Sequence, residues 1–131
     1  MRVALKYYWP AILWALFILI LCSIKIGEVS ESPLFFAGFD KLVHCGLFFV
    51  MMVFITACYT RKYSVAVLSD KTIAILTVIT IAYGGLIEIL QKYFFSWRSG
   101  EWNDLFADVI GILMAAFSIF IMLKAISYEK K

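Results

Sequence analysis

Residues 84–111, GGLIEILQKYFFSWRSGEWNDLFADVIG, carry Glu88, Gln91, Asp104 and Asp108 inside apolar runs, with Arg98 and Glu101 in the turn between them. Asp40, Lys41 and His44 open an earlier apolar run. A carboxylate near the middle of a hydrocarbon layer costs roughly 2.5–3.5 kcal/mol even on the gentler insertion scale. Leucine at these positions would avoid that cost, so the polar residues mark the first place to look for function. Five carboxylates, Asp40, Glu88, Glu101, Asp104 and Asp108, stand against Lys41 and Arg98, with His44 titratable. Such an acid-rich set is balanced by bound protons or by a cation, either a metal ion or the ammonium group of a ligand.

Two kinds of chemistry suit these residue types. Asp40 and His44, four apart, lie ~40° from each other around a helix, so the pair can hydrogen-bond and act as a general base, with Glu88 as the acid. No nucleophile stands out, because Ser96 and Ser99 lie in the turn without a helix-anchored base nearby in sequence. The same residues can instead bind a polar headgroup without turnover. A purely structural role, with Arg98–Asp104 and Lys41–Asp40 as ion pairs closing one end of a bundle, also fits. No metal site is assigned. There is one His and no Cys or second His at zinc-ligand spacing, and no fixed-spacing motif supports Mg²⁺ or Ca²⁺.

The elements that position these side chains follow from hydropathy. The chain has 131 residues, of which 64% are hydrophobic, and its mean hydropathy is +0.95. Soluble domains hold about 45–50% apolar residues, so the excess faces lipid. Four apolar stretches, 7–26, 40–59, 73–94 and 104–123, predict an all-α, four-transmembrane-helix bundle with short loops in one domain, residues 1–131, with the third and fourth helices as an antiparallel hairpin. Twenty helical residues span ~30 Å, the thickness of the hydrocarbon core. Pro10 is expected in the first turn of the first helix, where it is tolerated. That helix reads as membrane-spanning rather than as a signal peptide, since no A-x-A site follows it. Asp40 is the expected N-cap of the second helix, and Asn103 or Asp104 of the fourth. Gly84 and Gly85 suit close approach of another helix. Leu34, Phe35, Phe36 and Phe39 suggest a connector on the membrane surface, and Phe94, Phe95, Trp97 and Trp102 an aromatic belt. Cys22, Cys45 and Cys58 fall in apolar segments without a CxxC spacing, as small buried side chains do.

The net charge of +3 comes from scattered basic residues, without the basic stripe of a nucleic-acid-binding surface. Eight Lys and Arg flank one set of helix ends (Arg2, Lys6, Arg61, Lys62, Lys71, Lys124, Lys130, Lys131) and four the other (Lys25, Lys41, Lys92, Arg98). The positive-inside rule then puts both termini in the cytoplasm. The polar residues Asp40, Lys41, His44, Glu88, Gln91, Arg98, Glu101, Asp104 and Asp108 all fall at the extracytoplasmic end, and Asp40, His44, Glu88, Gln91, Arg98, Asp104 and Asp108 are expected to converge there. A proton-coupled transporter is disfavoured, because no charged residue continues the path into the cytoplasmic half.

Four motifs together resemble the VanZ-like family of small bacterial membrane proteins. They are Asp40-Lys41-x-x-His44, Glu88-x-x-Gln91, Arg98 in the turn, and Asp104-x-x-x-Asp108-x-x-Gly111. Their order and separation agree with the family over nearly the whole chain from the first helix on. The family often has Asn where this chain has Asp108, and Pro-Gly where it has Ser96-Trp97, so this cluster is the more acidic. The resemblance implies an integral protein of the bacterial inner membrane, linked to the cell envelope. The family's named member is similar to a factor giving low-level resistance to the glycopeptide teicoplanin. The expected ligand of Asp40, Lys41, His44, Glu88, Gln91, Arg98, Asp104 and Asp108 is an envelope precursor or polar lipid headgroup. The alternative is a membrane enzyme acting on a lipid-linked or phosphorylated envelope substrate, with His44 and the carboxylates as acid–base groups or metal ligands.

Overall fold

The computed structural model describes residues 2–23, 38–65, 68–94 and 101–129. They form four helices: α1 (Arg2–Ser23), α2 (Phe39–Tyr63), α3 (Asp70–Phe94) and α4 (Trp102–Glu129). All four contain stretches long and apolar enough to cross a membrane. Large apolar side chains such as Leu13, Phe17, Val78, Ile79, Phe106 and Phe117 point outward, a surface that suits lipid and not water. The chain is an all-α, four-helix, multi-pass membrane protein.

Helix ends depart from the sequence expectation where backbone hydrogen bonding outruns the apolar pattern. α1 begins at Arg2, so Pro10 lies in the helix interior and not in its first turn. Its ring removes the helical donor to the Lys6 carbonyl. α2 is entered through Gly38, in the left-handed region at φ 89°, with no side-chain cap. Asp40 is thus not the N-cap; it sits in the first turn, where a negative charge still complements the helix dipole. α3 starts at Asp70, three residues before the apolar run, because the Ser69 hydroxyl accepts the Thr72 N–H at 3.2 Å. In α4 neither Asn103 nor Asp104 is the cap. The Glu101 carbonyl accepts the Asp104 N–H at 3.0 Å, and the helix is under way at Trp102.

Lipid supplies no hydrophobic drive between helices, so close packing and interhelical hydrogen bonds hold the bundle. α2 touches all three other helices, and its interface with α4 is the largest. α3 and α4 are also in contact, while α1 packs on α2 and α3. Gly111 makes the α2–α4 approach possible: a Cβ there would overlap the Cys45 carbonyl, with its carbon at 2.9 Å and the Cys45 Cα at 3.1 Å. Three hydrogen bonds to helix carbonyls fasten α1. Trp14 donates to Leu47 at 2.9 Å, Tyr83 to Ala15 at 2.6 Å, and Gln91 to Cys22 at 3.1 Å. Phe48, Met52, Ile87, Ile112 and Ala115 fill the centre.

Candidate functional site

The start of α2, the end of α3 and the start of α4 meet at one end of the bundle. His44 faces α4, and its Nδ1 lies 3.0 Å from Asp108 Oδ1, with both residues buried. With Asp108 ionised and no cation bound, the imidazole Nδ1–H donates to Asp108 and Nε2 is the basic nitrogen. Glu88 comes from α3. Its Oε2 accepts the Glu101 backbone N–H at 3.0 Å, which ties the end of α3 to the entry of α4. A ring nitrogen of His44 and one oxygen each from Glu88 and Asp108 lie within 4.8 Å of one another, all on buried residues. Two oxygens here, Glu88 Oε1 and Asp108 Oδ2, are buried without a hydrogen-bond partner among the described residues. Gly84 makes room for this arrangement, since a Cβ there would lie 3.1 Å from Asp108 Oδ2 and 3.3 Å from Phe48 Cε1.

One turn closer to the helix ends is a second, wetter layer. Lys41 Nζ lies 3.0 Å from Asp40, 3.3 Å from Asp104 Oδ1 and 3.6 Å from Glu101. The Asp104 contact is an ion pair by distance but falls short of hydrogen-bond geometry, so this buried oxygen is only partly satisfied. Asp40 is exposed and Lys41 half-buried, and ion pairs this open to solvent add little stability. Their interest is electrostatic. Beside them a groove of about 460 Å³ runs between α2 and α4, lined by Lys41, Leu42, Cys45, Asn103, Phe106, Ala107 and Ile110. It is apolar along its length and charged at Lys41.

The sequence-selected residues therefore occupy three positions. His44, Glu88 and Asp108 form the buried cluster. Asp40, Lys41 and Asp104, joined by Glu101, form the outer layer. Gln91 is buried but turns to α1, where it bonds the Cys22 carbonyl. Arg98 lies outside the described residues, as do Phe95, Ser96, Trp97 and Ser99 and the connector 24–37. The expected Asp40–His44 pair does not form: Asp40 bonds Lys41, and His44 reaches Asp108, 64 residues away. The meeting of His44, Glu88 and Asp108 is expected from their place at one end of the bundle, but no metal-ligand spacing marks them, because they come from three helices with no fixed interval. Gly84 is the further residue that matters, and its small size within an apolar run was the available signal. Comparison with family models, with curated proteins and with solved structures finds no match.

Proposed function

We propose that this chain is a membrane enzyme of the bacterial cell envelope, acting on a lipid-linked or phosphorylated substrate at the outer end of the bundle. One observation carries the reading: His44, Glu88 and Asp108 converge from three helices in a buried cluster. Ionisable groups are placed in a membrane interior at a cost, and there they mark sites. In this reading Asp108 holds the imidazole through Nδ1, and Nε2 takes a proton from the attacking group. Glu88, anchored through Oε2, supplies a proton to the leaving group from its other oxygen. The apolar groove beside Lys41 supports a substrate with a hydrocarbon anchor, whose chain would lie between α2 and α4 while its head reaches the cluster. The envelope and the inner membrane enter through the resemblance to VanZ-like proteins, and the cytoplasmic termini through the positive-inside rule.

A second reading has its own observation. Lys41 ringed by Asp40, Glu101 and Asp104 makes an acid-rich mouth, which suits a headgroup carrying an ammonium and is compatible with binding alone. The test separates the two. Purified protein in nanodiscs is incubated with envelope lipids and with polyprenyl-phosphate-linked substrates, and new lipid species or released phosphate are measured by mass spectrometry. Turnover that disappears in His44→Gln is the expected result. Saturable lipid binding with no product would sink the enzyme and leave the binding protein, including any link to glycopeptide resistance.

A further inference from the structure

We infer that His44, Glu88 and Asp108 bind a divalent transition-metal ion between α2, α3 and α4. The inference rests on the proposed site but makes His44 and the two carboxylates ligands in place of the acid–base roles, and its test needs no substrate.

Ligands bound to one ion at roughly 2.1 Å are separated by about 3 Å when adjacent and ~4.2 Å when opposite. The three donor atoms already lie within 4.8 Å of one another, so side-chain adjustment would close them onto one ion. Chemistry selects the ion. Imidazole suits Zn²⁺, Fe²⁺ and their neighbours, and carboxylates suit Mn²⁺ and harder cations. One imidazole with two carboxylates falls in the range from Mn²⁺ to Zn²⁺. Copper(I) is disfavoured by the lack of a thiolate or thioether in the set, and Ca²⁺ by its need for six or more oxygens.

Two further observations point to a cation. Glu88 is only 8% exposed and Asp108 is fully buried, yet each keeps one oxygen with no hydrogen-bond partner among the described residues. Buried polar atoms are almost always satisfied, and an orphan calls for a partner such as an ion. Charge gives the same answer. Among the described residues Glu88, Asp104 and Asp108 are buried carboxylates, and Lys41, already shared with Asp40 and Glu101, pairs with Asp104 alone of the three. Glu88 and Asp108 therefore have no Lys41 contact, and a bound cation would offset their charge.

The chain contains one His, so any imidazole coordination can be assigned without a variant. The protein is purified without a histidine tag, stripped with chelator and titrated with Mn²⁺ and Zn²⁺. Metal retained after desalting is counted by mass spectrometry, and the Mn²⁺ form is examined by electron spin-echo spectroscopy. The expected result is one ion per chain, with ¹⁴N modulation from one imidazole. Affinity should fall roughly 100-fold or more in Glu88→Gln and Asp108→Asn, since losing a group that only hydrogen-bonds to a ligand already costs 10–100-fold, and stay unchanged in Asp70→Asn at the far end of the bundle. Tighter binding at higher pH is also expected, because protons compete for the same donors. Folded wild-type protein that retains no metal, or a bound Mn²⁺ without ¹⁴N coupling, would overturn the inference even if the variants misfold. The enzyme reading is judged separately: turnover in excess chelator would discard the metal and keep acid–base catalysis, whereas a bound metal without turnover would do the reverse.

Discussion

His44→Ala removes the imidazole and leaves the Asp108 carboxylate buried with neither oxygen bonded. An unsatisfied buried polar group costs about 1–3 kcal/mol, and more if charged. The single variant should therefore melt early in detergent, and so should Asp108→Ala, which strands the imidazole. The double variant His44→Ala/Asp108→Ala strands neither group and should recover part of the loss. A thermal-unfolding cycle on metal-free protein checks this; strictly additive losses would mean that the 3.0 Å contact contributes nothing. The identity of the site residues was legible in the sequence, because Glu88, Asp104 and Asp108 interrupt apolar runs that lipid would prefer uninterrupted. Their partners were not. Asp40 and His44 share a helix face at the expected angle, but Asp40 sits at the solvated start of α2 with Lys41 beside it. His44 lies one turn deeper, where α4 presents Asp108. Only the rotation of α2 against α4 decides that choice, and periodicity within one helix does not contain it.

Between elements, the contact that fixes this rotation is Gly111 on the Cys45 backbone. Added volume there meets main chain, which cannot swing aside as a side chain can. Gly111→Ala should force α2 and α4 apart and cost about 1–3 kcal/mol, the usual range for overpacking. It should also weaken metal binding without altering any donor, by moving His44 away from Asp108. Gly46→Ala on the same pair of helices is the control: nothing lies within 4 Å of that position, and the loss of a mid-helix glycine should be neutral or slightly stabilising. Unfolding temperature and retained metal, measured on both variants, decide the point. Equal behaviour would remove the close-approach argument. Existence and order of the four helices were legible from hydropathy, whereas their ends were not. An apolar run stops where the side chains become polar, but a helix continues while its backbone is bonded and capped. Ser69 extends α3 back to Asp70, and α4 continues to Glu129, beyond the last strongly apolar turn.

For the whole molecule, four crossings put both chain ends on one side of the bilayer, so one measurement sets the orientation of everything else. The polar cluster occupies the end where α2 and α4 begin and α3 finishes; the Lys124–Asp70 contact, at 3.8 Å, lies at the other end. In the sequence, basic residues concentrate at that second end, which is the ground for expecting it on the cytoplasmic side. Two exposed positions report the two sides: Asn103 in the first turn of α4 and Ser64 just past α2. Cys22 and Cys58 are buried and Cys45 is half-buried beside the groove, so all three are first replaced by Ala to give a silent background. Asn103→Cys should then react with a membrane-impermeant maleimide on intact cells. Ser64→Cys should react only after the membrane is opened. The reverse pattern would place His44, Glu88 and Asp108 near the cytoplasmic surface. An envelope substrate would then have to be dropped, while the metal site, which depends only on the donors and their packing, would stand. Labelling at both positions on intact cells would mean a mixture of orientations, as a bias of eight basic residues against four permits. Adding Lys beside Ser64 should then shift the population toward the outer-facing site.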